Sequence, residues 1–463
     1  MSVENTHYGA ERIAAAMQDC NSIFFIGIGG ISMSALAELS IRSGLRVGGS
    51  DNTSTHTIDT LKNLGAKVFF GHDAAHILGY DAVVYTVAIQ PDNPEYLAAK
   101  KAGLPLFSRA DYLGYLMTAF TSRIGIAGMH GKTTCTAMCA KIFMAAADPT
   151  VFCGAALPAL GGRPCRIGTA TEHFVFEACE YMDSFLDFSP TLAVVLNVAL
   201  DHVDYFHSME QIRSSFFRYA DLVGKGGALL FNADDAESAR TFESFAHPKY
   251  TFGLHRPADF TARNIAFEKG ITSFDFYHGE DILCRIFIPV FGTHNVYNAL
   301  AAASAATLCG ISPATVQAAL EGFDGAARRM QYNGTLPCGA TLYDDYAHHP
   351  DEIKATLSGV RSLGFERVIC VYQPHTYSRT VGLLEEFSTA FGDADLVFLT
   401  DIYAAREQNT FGITSEDLAK RIPNAAYTPN LASLADTLHK TARAGDLVLI
   451  MGAGDINRIF DYL

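Results

Sequence analysis

The sequence predicts an α/β protein of three domains with mostly parallel sheets. Strand-like apolar runs alternate with helical stretches along the chain, and polar residues repeatedly follow the strands. The chain has 463 residues, enough for about three domains of ~150 residues each. We predict a Rossmann-like domain over residues 1–108, a central domain over 109–327 and a second Rossmann-like α/β domain over 328–463.

Composition narrows the class of protein. Hydrophobic residues make up 49% of the chain and charged residues 18%, a balance typical of well-packed globular domains. The net charge of −15 argues against a nucleic-acid partner, because such binding depends on Lys and Arg neutralising phosphates. The ten cysteines include no Cys-x-x-Cys pair, which favours reduced thiols over disulfides or a zinc site. We find neither a signal peptide nor an apolar run of ~20 residues, and therefore expect a cytoplasmic protein without membrane insertion.

The first domain contains a glycine-rich turn between a strand and a helix. Gly27, Gly29 and Gly30 follow a buried strand-like run, and Asp51 follows the next strand. Such a turn can hold a diphosphate at the helix N-terminus, and an acid about 20 residues later is placed for a ribose hydroxyl. Ser32 stands where the dinucleotide fingerprint has its third glycine. The pattern therefore predicts a diphosphate site rather than specifically NAD, and a turn without a ligand is the alternative.

Residues 128–134 form a phosphate-binding motif near the start of the second domain. An apolar run precedes them, and a helix-compatible segment, 135–147, follows. Glycines let backbone N–H groups approach an anion, and the next helix presents its positive N-terminal end. Lys132 is then placed to reach the outer phosphates and Thr133 to hold Mg²⁺, as in a domain of the P-loop ATPase type. Ile126 occupies the first glycine position of the full motif, so an ordinary loop before a helix is the alternative.

Polar side chains also follow the next strands of the second domain. Glu177 and Glu180 end one strand-like run. Asn197, Asp201 and His202 end another. Because ligands bind at the carboxyl ends of strands in a parallel sheet, we expect these side chains near the phosphate loop.

The third domain is predicted to be another α/β unit. Polar clusters follow its strands, first at 344–350 and then at 373–379. The predicted strands lie near 340–343, 367–372, 395–400 and 446–451, and the predicted helices near 351–363, 381–391, 414–421 and 431–443.

Six motifs along the chain resemble those of the Mur ligases, which are ATP-dependent amide-forming enzymes of peptidoglycan synthesis. The motifs are residues 128–134, Glu177 with Glu180, Asn197 to Tyr205, His294 to Asn298, Arg328 with Arg329, and 345–350. They come in the order of the family and spread over most of the chain, which makes the resemblance specific.

Further features narrow the resemblance to the branch of the family that joins L-alanine to UDP-N-acetylmuramate. These features are the stretches 27–34, 372–380 and 401–403. The run 212–217 has no lysine where several other Mur ligases carry a carbamylated one, which agrees with this branch. Cys179 departs from it, because many relatives of the branch have aspartate there.

The resemblance implies one ligand for each domain. The first would bind the UDP-sugar, the second ATP with Mg²⁺, and the third the amino acid. The implied reaction begins when the lactyl carboxylate of UDP-N-acetylmuramate attacks the γ-phosphate of ATP and forms an acyl phosphate. The amine of L-alanine then displaces the phosphate.

The same resemblance implies roles for individual residues. For catalysis they are Lys132, Glu177, His202, Arg329 and His348. For ATP binding they are Gly128, Met129, His130, Gly131, Lys132, Thr133, Thr134, Asn295, Asn298, Arg329 and Asp345. The implied metal ligands are Thr133, Glu177 and His202, with Glu180 as the alternative to Glu177. Gly27, Gly29, Gly30 and Asp51 would serve the UDP-sugar, and Tyr346, His375 and Arg379 the amino acid, since arginine binds carboxylates in a fork geometry.

Other functions stay open at this point. A murein tripeptide recycling ligase and a folate polyglutamate ligase belong to the same superfamily, and the clusters at 345–350 and 372–380 speak against folate. An NAD-dependent oxidoreductase would leave Lys132 and Glu177 without a role. A non-catalytic nucleotide-binding regulator would not need an amino-acid site at Arg379. We expect a monomer or homodimer whose domains close on their substrates.

Overall fold

The computed structural model describes residues 3–53, 56–201, 205–268, 271–361, 363–405 and 407–463. His202, one of the expected metal ligands, lies outside the described residues. Three sheets follow one another along the chain, and the predicted α/β class with a mostly parallel central sheet is confirmed. Within the described ranges, no helix combines the length and apolar character needed to cross a bilayer.

A parallel five-stranded sheet forms the N-terminal part of the chain. Its strands are β1 (Ser22–Ile26), β2 (Arg46–Asp51), β3 (Lys67–Phe70), β4 (Ala82–Tyr85) and β5 (Leu106–Ser108), and the helices are α1 (Ala10–Met17), α2 (Ile31–Arg42), α3 (His56–Asn63), α4 (Pro94–Ala102) and α5 (Arg109–Met117). The strand order is β3-β2-β1-β4-β5. The order reverses between β1 and β4, so the loops after these two strands open the crevice in which doubly wound sheets bind ligands.

A sheet of ten strands forms the central part. Its strands are β6 (Ser122–Ala127), β7 (Thr150–Leu157), β8 (Arg163–Arg166), β9 (His173–Glu177), β10 (Leu192–Val195), β11 (Ala228–Asn232), β12 (Lys249–Gly253), β13 (Phe260–Glu268), β14 (Ile271–His278) and β15 (Asp281–Ile288), and its helices are α6 (Lys132–Ala146), α7 (Met209–Asp221), α8 (Ala236–Thr241), α9 (Thr293–Leu308) and α10 (Pro313–Glu321). The order is β15-β14-β13-β12-β11-β10-β6-β9-β7-β8, with antiparallel pairing only at the two ends. Because β6 lies between the parallel strands β10 and β9, the loops after these three strands meet at one edge.

A sheet of six strands forms the C-terminal part. Its strands are β16 (Gln331–Thr335), β17 (Thr341–Asp345), β18 (Arg367–Tyr372), β19 (Leu396–Leu399), β20 (Ala425–Tyr427) and β21 (Asp446–Met451), and its helices are α11 (Pro350–Arg361), α12 (Tyr377–Gly382), α13 (Leu384–Ser388), α14 (Ser415–Ala419) and α15 (Leu431–Thr441). The order is β16-β17-β21-β18-β19-β20, and only the edge strand β16 is antiparallel.

The single helix predicted over 381–391 is wrong. The segment consists of the end of α12 and the short α13, with a break at Leu383, where φ is −121° and ψ is 28°. Gly382 ends α12, and glycine is a poor helix former. The bend lets both Leu383 and Phe387 enter the core that covers one face of the sheet.

The N-terminal and central parts share one hydrophobic core. Helix α5 packs on the N-terminal sheet and also on the central part, where Gly114 lies against the backbone at Asp187. A Cβ added at Gly114 would lie 1.8 Å from the carbonyl oxygen of Asp187. The first two domains therefore meet closely at α5, and the boundary between 108 and 109 stays a prediction.

We predict that Gly114→Ala destabilises the protein by about 1–3 kcal/mol, because the added methyl group collides with backbone that cannot rotate away. Gly359→Ala in α11 is the matched control, since its Cβ would meet its nearest neighbour, Phe291, at an ordinary 3.5 Å. The control should be neutral or gain about 0.5–1 kcal/mol from better helix propensity. Thermal and urea unfolding measure the stability of both variants. An equal change in the free energy of unfolding for Gly114→Ala and Gly359→Ala would contradict the close packing at α5.

Candidate active site

The phosphate loop joins β6 to α6. Its backbone adopts positive φ angles at two positions, and both positions are occupied by glycine. Gly128 has φ +145° and Gly131 has φ +83°, both in the region that favours glycine. A Cβ at Gly131 would lie 2.5 Å from Oδ1 of Asn298 in α9. No side chain of the described residues caps the start of α6 at Lys132, so its first N–H groups can face an anion.

Lys132 folds back over the phosphate loop and pairs with Glu180. Its Nζ lies 2.9 Å from Oε2 of Glu180 and donates to the carbonyl oxygen of Met129 at 3.2 Å. Burial favours the neutral amine, but the Glu180 carboxylate raises the pKa of Lys132 above its usual value. The cation is therefore fixed beside the loop and stays charged.

Thr133 and Glu177 meet beside the same loop. The Thr133 hydroxyl donates to the two Glu177 carboxylate oxygens at 3.1 and 3.2 Å, and the Gly154 N–H donates to Oε2 at 2.8 Å. A hydroxyl and a carboxylate are hard oxygen donors of the type that Mg²⁺ prefers, so these residues fit the ion. Sequence reasoning missed Cys153, whose Sγ lies 3.6 Å from Oε2 of Glu177.

A cavity of about 250 Å³ lies between the central part and the C-terminal part. On one side it is bounded by the phosphate loop and α9, and on the other by the end of β17 and the start of α11. Seven residues predicted for ATP binding line it, namely His130, Gly131, Thr134, Asn295, Asn298, Arg329 and Asp345. Other lining residues include Asn197, His294, Asp351 and Glu352. The structure thus brings most of the predicted nucleotide residues to one place.

Arg329 and its neighbour Arg328 lie in different places, one at the cavity and the other within the C-terminal part. Arg328 pairs with Asp344 at 3.1 Å and donates to the carbonyl oxygen of Gly454 at 3.0 Å, inside the C-terminal part. Arg329 lines the cavity instead. Both guanidinium groups lie 5.2 Å from the centre of the Tyr346 ring. Of this basic pair, Arg329 is the one available to a phosphate.

Asp345 is held rigidly at the end of β17. Its two carboxylate oxygens each accept a backbone N–H, from Met330 and from Ala347, at 2.8 Å. Burial raises the pKa of Asp345 to about 6, although the charge of Arg329 and the two N–H groups oppose that rise.

Glu352 connects the C-terminal part to the phosphate loop. Its Oε1 lies 3.2 Å from Nδ1 of His130, and its Oε2 accepts the backbone N–H groups of His348 at 3.0 Å and His349 at 3.3 Å. Burial favours the neutral acid, but His348 and His130 hold the pKa of Glu352 well below its usual range. Asn197 fixes the same loop through two hydrogen bonds to the His130 backbone, at 2.9 and 3.0 Å.

Glu352 received no role in the sequence analysis. The signal for it was weak: a glutamate in the first turn of a helix ordinarily stabilises the helix N-terminus. Its second partner, His130, is 222 residues away and belongs to another part of the chain.

Arg379, predicted for the amino acid, is paired with Asp201 across the two parts. Its Nε lies 3.1 Å from Oδ1 of Asp201, and both side chains are buried. Its Nη1 lies 3.1 Å from Nδ1 of His375, and the His375 and His348 rings are 5.9 Å apart between centroids. Tyr346 lies 5.6 Å from His348 on the same measure. The predicted amino-acid residues and His348 thus form one cluster.

Two of the four residues predicted for the UDP-sugar line a separate cavity of about 470 Å³ in the N-terminal part. Gly27 and Asp51 line it, while the Gly29 N–H donates to Oδ2 of Asp51 at 2.9 Å. His72, which received no role in the sequence analysis, also lines this cavity, and its Nδ1 lies 2.7 Å from the buried Glu95 carboxylate.

The chain consists of three consecutive α/β units. A phosphate loop in the second unit and an interdomain cavity beside it define the class of protein as a nucleotide-using multidomain ligase. The chain belongs to the Mur ligase family. The models described as Mur ligase family, catalytic domain, as Mur ligase middle domain and as Mur ligase, glutamate ligase domain match residues 22–121, 126–306 and 328–454.

The curated relatives of the chain share a more particular name. UDP-N-acetylmuramate–L-alanine ligase of Caldicellulosiruptor bescii is 43% identical over 96% of this chain and 98% of its own. The ligase of the same name from Caldanaerobacter subterraneus is 41% identical over 94% of this chain and 96% of its own.

Solved structures show the same architecture. UDP-N-acetylmuramate–alanine ligase from Thermotoga maritima matches with a TM-score of 0.77 and 27% identity, over 95% of this chain and 97% of that one. A murein peptide ligase from Psychrobacter arcticus matches with a TM-score of 0.68 at 23% identity, over 95% and 97%, and supports the fold alone.

We predict that Lys132→Ala destabilises the protein by about 3–5 kcal/mol, because it removes the cation that the buried Glu180 carboxylate is paired with. The double variant Lys132→Ala/Glu180→Gln should recover most of that loss in urea unfolding. It should not recover turnover if Lys132 binds phosphate as predicted, since the double variant has no ammonium group at this position. Equal stability of the single and double variants would contradict the energetic importance of this pair.

A second prediction concerns His294, which lines the nucleotide cavity. Burial, assisted by the charge of Arg329, lowers the pKa of His294 from 6.5 to about 4. As the pH drops from 6.5 towards 4, His294 is therefore protonated in the unfolded chain but still neutral in the folded one. Over this range the contribution of His294 to the free energy of unfolding falls. The stability difference between the wild type and His294→Gln should shrink by up to about 1.4 kcal/mol per pH unit in that window. The control Thr293→Ala carries no titrating group, so its difference should not change with pH; a constant difference for His294→Gln would refute the prediction.

Proposed function

We propose that this protein joins L-alanine to UDP-N-acetylmuramate in a reaction that consumes ATP. The observation that carries the proposal is the near full-length identity of 41–43% with curated UDP-N-acetylmuramate–L-alanine ligases. The phosphate loop and the interdomain cavity lined by Asn295, Asn298 and Arg329 are consistent with the nucleotide requirement. We place the reaction in the cytoplasm, where ATP is available.

The nucleotide would lie in the interdomain cavity with its phosphates at the phosphate loop. Lys132 and the first N–H groups of α6 would bind the outer phosphates, and Arg329 would approach them from the C-terminal part. These charges are fixed before the substrate arrives, so they would offset the repulsion between a carboxylate and the polyphosphate at little reorganisation cost. Asp345 would bind the ribose.

Thr133 and Glu177 would hold Mg²⁺, with His202 as a further expected ligand. The ion would neutralise charge on the phosphates and align them for attack. We prefer Glu177 to Glu180 as the ligand, because Glu180 is already paired with Lys132.

The amino acid would bind at the cluster around Arg379. A guanidinium has five N–H donors. Asp201 accepts from Nε and Nη2, and His375 lies 3.1 Å from Nη1, so one N–H of Nη1 and one of Nη2 are left to donate to the carboxylate of L-alanine. His375, Tyr346 and His348 would surround the amine as it attacks the acyl phosphate. Phosphate then leaves and the amide is formed.

The UDP-sugar would bind at the N-terminal cavity and extend its lactyl carboxylate to the phosphate loop. Gly27, Gly30 and Asp51 would serve the UDP moiety. The Gly29 N–H would exchange Asp51 for a phosphate oxygen when the substrate binds. The curated relatives carry the name of the alanine-adding ligase and the family models that of the Mur ligases, which favours this reaction over that of an oxidoreductase or a folate ligase.

The test is phosphate release from ATP with UDP-N-acetylmuramate as the acceptor. We expect release with L-alanine and a product heavier by one alanyl residue in mass spectrometry. The variant Lys132→Ala/Glu180→Gln serves as the inactive control. Release with the murein tripeptide but not with L-alanine would replace the proposal by a recycling role. Reduction of NAD without use of ATP would overturn it altogether.

A further inference from the structure

We propose that His130, His349 and Asp351 form a binding site for a divalent cation that prefers imidazole, such as Zn²⁺, across the seam between the phosphate loop and α11. Each of the three can place one ligand atom within 4.8 Å of the others. The site is distinct from the one proposed for Mg²⁺ at Thr133 and Glu177. It goes beyond the proposed function, which requires no second kind of metal.

His130 is oriented like a metal-binding histidine. Its Nδ1 lies 3.2 Å from the Glu352 carboxylate, and a carboxylate on one ring nitrogen fixes the ring and makes the other nitrogen a better ligand. That other nitrogen, Nε2, is buried and has no hydrogen-bond partner among the described residues. The ring centroid lies 4.7 Å from that of His349, so the two imidazoles face each other across the seam.

His349 and Asp351 supply adjacent donors from the C-terminal side. Nδ1 of His349 accepts the backbone N–H of Asp351 at 3.3 Å, a hydrogen bond longer than usual, and an ion bound to Nδ1 would displace it. The same nitrogen lies 3.7 Å from Oδ2 of Asp351. Ligand atoms in a tetrahedral zinc site with bonds of about 2.0–2.2 Å lie roughly 3.3–3.6 Å apart, close to this separation.

The donor set selects the class of cation. Two imidazole nitrogens and one carboxylate oxygen suit Zn²⁺, Co²⁺ and Ni²⁺, whereas Mg²⁺ prefers oxygen donors alone. Three protein ligands leave the fourth position to water. Asp351 is exposed, which gives the ion a way in from solvent. A bound ion would tie the phosphate loop to the C-terminal part and should raise the melting temperature.

The experiment uses Co²⁺ as a spectroscopic probe for the full-length protein, with excess Mg²⁺ present to fill the oxygen site. We expect one Co²⁺ per chain with visible d–d absorption and without the near-ultraviolet band of a thiolate ligand. His349→Ala and Asp351→Asn should each weaken binding by at least about tenfold. They should also abolish the rise in melting temperature caused by Zn²⁺. His439→Ala and Asp436→Asn, which are exposed on α15, are the matched controls and should bind like the wild type.

Two outcomes would overturn the proposal. One is unchanged Co²⁺ affinity in Asp351→Asn, whose exposed side chain can be altered without disturbing the core, even if His349→Ala fails to fold. The other is a thiolate band and loss of binding in Cys153→Ser, which would place the ion beside Glu177 instead. Neither readout depends on turnover, so failure here leaves the proposed function untouched.

Discussion

Two pairs of oppositely charged side chains, one half-buried and one buried, hold the C-terminal part against the central part, and the candidate site depends on them. Glu352 of α11 reaches His130 of the phosphate loop, while Arg379 of α12 reaches Asp201 after β10. The C-terminal part and the central part each supply one carboxylate and one cationic group. Neither pair can therefore form until the two parts are in contact. Buried charges without partners are costly, and this cost favours the contact between the two parts that encloses the interdomain cavity.

The phosphate loop is likewise held by carboxylates that pair with its side chains. Glu177 and Glu180, at and just after the end of β9, hold Thr133 and Lys132, the two groups that we propose for metal and phosphate binding. A site for a polyanion is thus lined with carboxylates, which is unfavourable unless each one orients a cation or a metal ligand. Preset charges of this kind let catalysis proceed by positioning rather than by rearrangement.

The sequence was informative wherever a functional group is positioned by its neighbours in the chain. The phosphate loop, the strand-end acids and the polar cluster after β17 all lie where their sequence neighbours predict, and seven of the predicted nucleotide residues share one cavity. Glu352 received no role because it acts on the phosphate loop from a distant point of the chain. Asn197 was expected near that loop because it follows a neighbouring strand, and it lies there. The antiparallel strands β14 and β15 received no prediction, and the break at Leu383 depends on core packing that local periodicity does not contain.

The sequence by itself determined the α/β class, the nucleotide-binding loop and the identity of the groups that can bind phosphate, because these depend on residue type and on spacing within one strand–turn–helix unit. Only the tertiary structure decided which carboxylate faces which cation. It assigned Glu180 to Lys132, Glu177 to Thr133 and Asp201 to Arg379. Electrostatic pairing depends on distance in space and on burial, and both are fixed only when residues far apart in the chain are packed together.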